Sequence, residues 1–184
     1  ALTFTLPAFA GEPTDYLKDR TAKVTKVLAE KASPKRKATL QQLMGETMNF
    51  KELASRSLGE HWAKRTPAEQ AEFLGLLQEL LQVNYEKKLT GQIVGKDYQI
   101  KYTKERIREE KAVVKSAVLY KGESKPVDYK LLKAEGKWTV YDLVIDDISL
   151  EETYREAYVE IIEDEGWGSL IQRMKDKLKE SKEG

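Results

Sequence analysis

The chain has 184 residues, with 32 Lys and Arg against 31 Asp and Glu, so its formal net charge is +1 and no bulk charge draws it onto nucleic acid. It has no cysteine and a single histidine, His61, which excludes disulfides, thiolate nucleophiles, iron–sulfur clusters, cysteine-based zinc sites and any metal site built on two imidazoles. No apolar run reaches the roughly 18 residues of a membrane-spanning helix, and the length suits one domain with little apparatus for catalysis.

Residues 1–10 carry no charge, whereas charge is dense from Glu12 onward, and Ala8-Phe9-Ala10 has the small-x-small form of a signal-peptidase site. The expectation is a signal-peptide remnant over 1–10, cleaved after Ala10, and one domain over 11–184. An ordinary edge strand, or residues contributed by a vector, is the alternative for the first ten residues. No cysteine follows the site to take a lipid anchor, and an exported chain without disulfides points to a Gram-negative periplasm.

Helices come first. Tyr16, Leu17, Val24, Val27 and Leu28 recur at helical spacing within residues 14–31. Ser33-Pro34 reads as an N-cap with Pro at the first helical position, opening a helix with Leu40, Leu43 and Met44 inward. Asn49 through Glu52 reads as a capping box for a short helix that ends at Gly59. Thr66-Pro67-Ala68-Glu69 combines both start signals and predicts a helix to about Leu89. Phe73, Leu76, Leu77, Leu80, Leu81 and Val83 make that helix the most apolar and hence the central one.

After Gly91 the period changes to two. Tyr98, Ile100 and Tyr102 alternate with polar residues, and residues 112–120, 127–133 and 137–146 follow as three more strands. Short connections at Gly122 and Gly136 predict an antiparallel meander. In the last strand Trp138, Val140 and Val144 are predicted on one face and Tyr141, Leu143 and Ile145 on the other, so both faces are covered. Ser149 through Glu152 opens a helix with a Leu150, Tyr154, Tyr158, Ile161 and Ile162 stripe, and a last helix begins near Ser169. Helices, then sheet, then helices make an α+β domain.

Motifs for chemistry are sparse. Gly91 to Asp97 approaches a phosphate-binding loop but has three residues between its glycines, Asp where a hydroxyl must meet magnesium, and a helix before it. The acidic pairs Glu109-Glu110, Asp146-Asp147 and Glu151-Glu152 fit turns and a first helical turn, where negative charge is favoured. His61 reads as a capping or surface residue. Asp142 is the odd residue, a carboxylate sharing a strand face with Val140 and Val144; it is either tied to local partners or a general base. Basic residues outnumber acids from Tyr16 to Lys37, and from Glu151 to Glu165 Arg155 stands alone among seven acids. These are solvated helix faces or docking surfaces.

Two segments carry a resemblance. Trp138-Thr-Val-Tyr-Asp-Leu-Val-Ile-Asp-Asp-Ile-Ser-Leu-Glu-Glu-Thr-Tyr-Arg155 resembles the C-terminal motif of the MlaC / toluene-tolerance family of periplasmic phospholipid-binding proteins, and Leu58-Gly-Glu-His-Trp-Ala-Lys-Arg-Thr-Pro-Ala-Glu-Gln-Ala-Glu-Phe73 is similar to a second family segment. The likeness runs from about Tyr16 to Leu178; Asp147-Ile148 departs from it where the family has Gly before a small apolar residue. The resemblance implies a helical layer wrapped around a twisted antiparallel sheet of four to five strands, enclosing an apolar pocket, a shape shared with NTF2-like cones. It implies a phospholipid carrier, not an enzyme, with phospholipid as cargo and no cofactor or metal. Its partners would be an outer-membrane lipoprotein complex and an inner-membrane ABC transporter with its substrate-binding partner, maintaining outer-membrane lipid asymmetry and solvent tolerance. Candidate lipid contacts are Phe73, Leu77, Leu80 and Leu81 from the central helix, Tyr141, Leu143 and Ile145 from the last strand, and Tyr154 and Tyr158 at the mouth. Two other readings stay open: an NTF2-like enzyme using Asp142, and a periplasmic adaptor without ligand that acts through its charged faces.

Overall fold

A computed structural model describes residues 12–92 and 98–183. The expected signal-peptide remnant and most of the Gly91–Asp97 turn lie outside the described residues. Five helices precede the sheet: α1 (Glu12–Leu28), α2 (Pro34–Thr47), α3 (Phe50–Leu58), the single turn α4 (Glu60–Ala63) and α5 (Pro67–Gln92). Their starts follow the cap chemistry. The Ser33 hydroxyl accepts from the Arg36 N–H, and the Asn49 side chain accepts from the Glu52 N–H. Thr66 and Glu69 close a reciprocal box, the Glu69 carboxylate accepting from the Thr66 N–H and the Thr66 hydroxyl from the Glu69 N–H. Gly59 ends α3 at a φ of 51°, and His61 lies within α4, with its Nε2 3.6 Å from the Glu163 carboxylate.

Strands β1 (Tyr98–Arg108), β2 (Lys111–Tyr120), β3 (Glu123–Ala134), β4 (Lys137–Ile145) and the two-residue β5 (Ile148–Ser149) form one antiparallel meander in sequence order. The turns Lys121-Gly122, Glu135-Gly136 and Asp146-Asp147 have positive φ at both central residues, the geometry that matches strand twist in a two-residue hairpin. Asp147 thus adopts the left-handed conformation without glycine, at a φ of 64°; Asp tolerates it better than most residues. β5 is a strand that the residue pattern did not announce. It feeds α6 (Leu150–Glu165), capped by Ser149, and then α7 (Trp167–Glu183).

A register shift changes the expected faces of β4. Lys130 pairs with Asp142, but the next residue, Leu131, pairs with Val140, so Tyr141 is the extra residue of a bulge. Strict alternation would set Val140 opposite Leu143 and Ile145; the bulge puts all three on one face, with Asp142 and Val144 on the other. The Val140 carbonyl accepts from the Asn49 N–H at 2.7 Å, which pins the α2–α3 joint to the edge of the sheet.

Two apolar clusters result. One is helical, with α3, α5 and α7 packed around Phe73, which is 1% exposed, and with α6 against them. Trp62, Tyr158 and Trp167 surround the Phe73 ring at centroid distances of 6.0, 5.9 and 5.5 Å. The other lies where Leu17 of α1 meets Ala112, Val114, Leu131, Trp138 and Val140 of the sheet. Polar contacts clip α1 there: the Thr14 N–H and hydroxyl donate to the Glu105 carboxylate, and the Glu12 carboxylate accepts from Lys133 and from the Trp138 indole.

Candidate functional site

Between α1, α2 and the sheet lies an apolar cavity of about 300 Å³, within the roughly 300–1,000 Å³ of small-molecule sites. One wall is helical: Leu17, Val24 and Leu28 of α1 with Leu40, Leu43 and Met44 of α2. Helical spacing puts each trio on one stripe, and the α1–α2 connection is held by buried Arg36, whose guanidinium donates to the Glu30 carbonyl at 2.9 Å. The facing wall is the sheet. Cross-strand pairing sets Ile100 beside Val118, Val127 beside Ile145, and Tyr129 beside Leu143 on one face. Most of these apolar side chains are only half-buried, because they face the cavity instead of one another, and Ile145 is 43% exposed.

Polar groups at this wall are few, and several are satisfied locally. The Thr21 and Tyr102 hydroxyls are 3.1 Å apart, those of Thr25 and Tyr98 are 2.5 Å apart, and the Thr47 hydroxyl donates to the Leu43 carbonyl. Burial raises the pKa of Tyr102, so its hydroxyl stays protonated. Arg20, at the α1–α2 crossing, is the one ionised group among the described lining residues. Such a site can hold an apolar chain, but its described residues present no convergent acid, base and nucleophile.

The predicted site residues divide between the two clusters. Leu81, Leu143 and Ile145 line the cavity. Phe73, Leu77 and Leu80 are buried in the helical cluster, on the stripe of α5 that faces α3 and α7. Tyr141, displaced by the bulge, lies under the Arg56 guanidinium, 4.4 Å from its ring centroid. Tyr154 and Tyr158 stack at 5.1 Å and pack against the helical cluster, away from the cavity lining. Sequence reasoning placed Leu17, Val24, Leu28, Leu40, Leu43 and Met44 inward but assigned them to no site. The available signal was the threonines, Thr21 and Thr47, set within otherwise apolar stripes.

Asp142 is fully buried and fully used. One carboxylate oxygen accepts from the Ser149 hydroxyl at 2.7 Å and from Lys130 at 2.8 Å; the other accepts from the Glu151 N–H at 3.0 Å. Burial works to lower the pKa of Lys130, but the Asp142 carboxylate outweighs it and the amine is held above its usual value. The group fastens the start of α6 to β4. Among the described residues no cluster of His, Asp or Glu is placed to hold a metal ion, and no helix is long and apolar enough to cross a membrane.

Residues 18–176 match the family model described as MlaC protein. Among solved structures, the chain is similar to a phospholipid-binding protein from Ralstonia solanacearum in complex with a phospholipid, at 23% identity and a TM-score of 0.80, covering 91% of this chain and 97% of that one. A search of curated proteins found no match.

Proposed function

This chain belongs to the MlaC family, and on that premise we propose that it is a periplasmic phospholipid carrier. The observation that supports this most is the cavity, with apolar walls, uncovered half-buried side chains and, among its described lining residues, one cationic side chain. Each methylene moved out of water contributes about 0.8 kcal/mol, so two acyl chains do not cross an aqueous space unaided at a useful rate. A protein that covers them needs a greasy cleft and no reaction chemistry. The solved Ralstonia solanacearum relative, by its description, holds a phospholipid. The further steps of the proposal are a shuttle between an outer-membrane lipoprotein complex and an inner-membrane ABC transporter with its substrate-binding partner, and a role in outer-membrane asymmetry.

An enzyme reading would route catalysis through Asp142, but its contacts are those of a structural anchor and it lies on the β4 face opposite the cavity. Native mass spectrometry of the purified protein, with organic extraction, tests the carrier reading. A mass excess matching glycerophospholipid is expected, and Leu143→Trp, which projects into the cavity, should reduce it severalfold with the fold intact. An apo mass after incubation with phospholipid vesicles would favour the adaptor reading instead. Leu77→Trp serves as the contrast: it overpacks the helical cluster and should lower stability by roughly 1–3 kcal/mol without selectively emptying the site.

A further inference from the structure

Arg20 is the one charged side chain among the described residues that line the cavity, and its bonding is incomplete. One terminal nitrogen donates to the Glu46 carboxylate at 2.9 Å, and the guanidinium carbon lies 5.2 Å from the Tyr16 ring centroid. Its Nε is buried and has no hydrogen-bond partner among the described residues. The Asp19 carboxylate is 3.9 Å from that nitrogen, beyond hydrogen-bond reach. A buried N–H without an acceptor is costly, so the guanidinium gains when a ligand lets it turn to a full set of acceptors. The threonine and tyrosine hydroxyls named above are engaged with each other or with backbone, so they do not supply it.

The position of Arg20 suits an amphipathic ligand. Arg20 lines the cavity, while its side chain is 21% exposed and its partner Glu46 is 46% exposed, which puts the ion pair at the rim. A guanidinium is a planar fork of donors that matches the two unesterified oxygens of a phosphodiester. We propose that Arg20 is the residue that reads the phosphate of the cargo, its guanidinium donating to a phosphodiester oxygen at the rim while the acyl chains lie against α1, α2 and the sheet. Glu46 holds the guanidinium in place when the site is empty and shares it when the site is filled. This assignment rests on the carrier reading. It makes the site selective for lipids that carry phosphate over lipids that do not, whatever group lies beyond the phosphate.

The test uses mixed vesicles of dioleoylphosphatidylglycerol and dioleoylglycerol, which share their acyl chains and differ in the phosphoglycerol group. Native mass spectrometry counts each loaded species. The wild-type chain should prefer the phospholipid, and Arg20→Gln should cut that preference about tenfold, the worth of a charge-assisted hydrogen bond. Arg20→Lys, which keeps the cation without the fork, should fall between them. Glu46→Gln breaks the same ion pair but leaves the cation, so it should keep or increase the preference. Circular dichroism checks each fold, and Arg20→Lys decides the matter if Arg20→Gln does not fold. An Arg20→Gln chain with wild-type preference overturns the assignment, as does a Glu46→Gln chain that loses as much. A wild-type chain that loads both lipids equally, or whose preference is abolished by inorganic phosphate, also overturns it, the latter by assigning Arg20 to a free anion. A wild-type chain that loads neither lipid overturns the carrier reading itself.

Discussion

Asp142 shows how a single carboxylate can look catalytic in a sequence and be structural in the fold. It is wholly removed from water, which an ion tolerates only with partners, and it has three: the Lys130 amine, the Ser149 hydroxyl and the Glu151 N–H. Asparagine keeps one acceptor oxygen but loses the charge, and its amide N–H groups face either Lys130 and Ser149 or the Glu151 N–H, so one side of the network loses its acceptor. Asp142→Asn is therefore expected to lower stability by roughly 3 kcal/mol, read as a fall in the urea midpoint at unchanged slope. Lipid loading of the folded fraction should stay near wild type, because Asp142 lies on the β4 face opposite the cavity. Loss of loading with full stability would return Asp142 to the functional site. The sequence showed that Asp142 required partners; it could not show which, since Lys130 reaches it only through the strand register.

At the scale of elements, the tyrosines of α6 link packing to pH. Burial pushes Tyr158 up to about 12, and Tyr154 is raised further by burial and by its stacked neighbour. An unfolded chain releases these protons near pH 10. Between about pH 10 and 12 the native state keeps protons that the unfolded state has lost, so stability falls as pH rises, by roughly 1.4 kcal/mol per pH unit for each such group. Below pH 10 both states are protonated and the contribution is constant. Tyr158→Phe combined with Tyr154→Phe should flatten this alkaline decline in urea midpoints, and an unchanged decline would remove the tyrosines as its cause. Elements with local signals were legible in the sequence. Ser33, Asn49, Thr66 and Ser149 announce their helices because a cap is read within four residues. The bulge at Tyr141 was not, because a period of two carries no mark of an added residue; it alone moves Val140 to the face of Leu143 and Ile145. The cavity wall was half legible, since an apolar helix stripe looks the same whether it faces a core or a cleft.

The whole molecule divides its labour. The helical cluster around Phe73 is filled, whereas the space between α1, α2 and the sheet is left partly open. If the open space carries lipid, emptying it removes stability by mass action: cargo at about 100 times its dissociation constant contributes about 2.7 kcal/mol. At roughly 2–4 °C per kcal/mol for a chain of this size, delipidated protein should melt about 5–10 °C lower than loaded protein, recovering on incubation with phospholipid vesicles. Equal melting temperatures would count against a resident cargo. The meander that forms one wall pairs each strand with its sequence neighbour, so it closes only short loops, and short loops close fast. The helical wall is the opposite case: the clip from Glu12 to Trp138 joins residues 126 apart. On loop-closure grounds the sheet is thus the cheaper wall to form, and the cavity exists only once the long-range clip is also made.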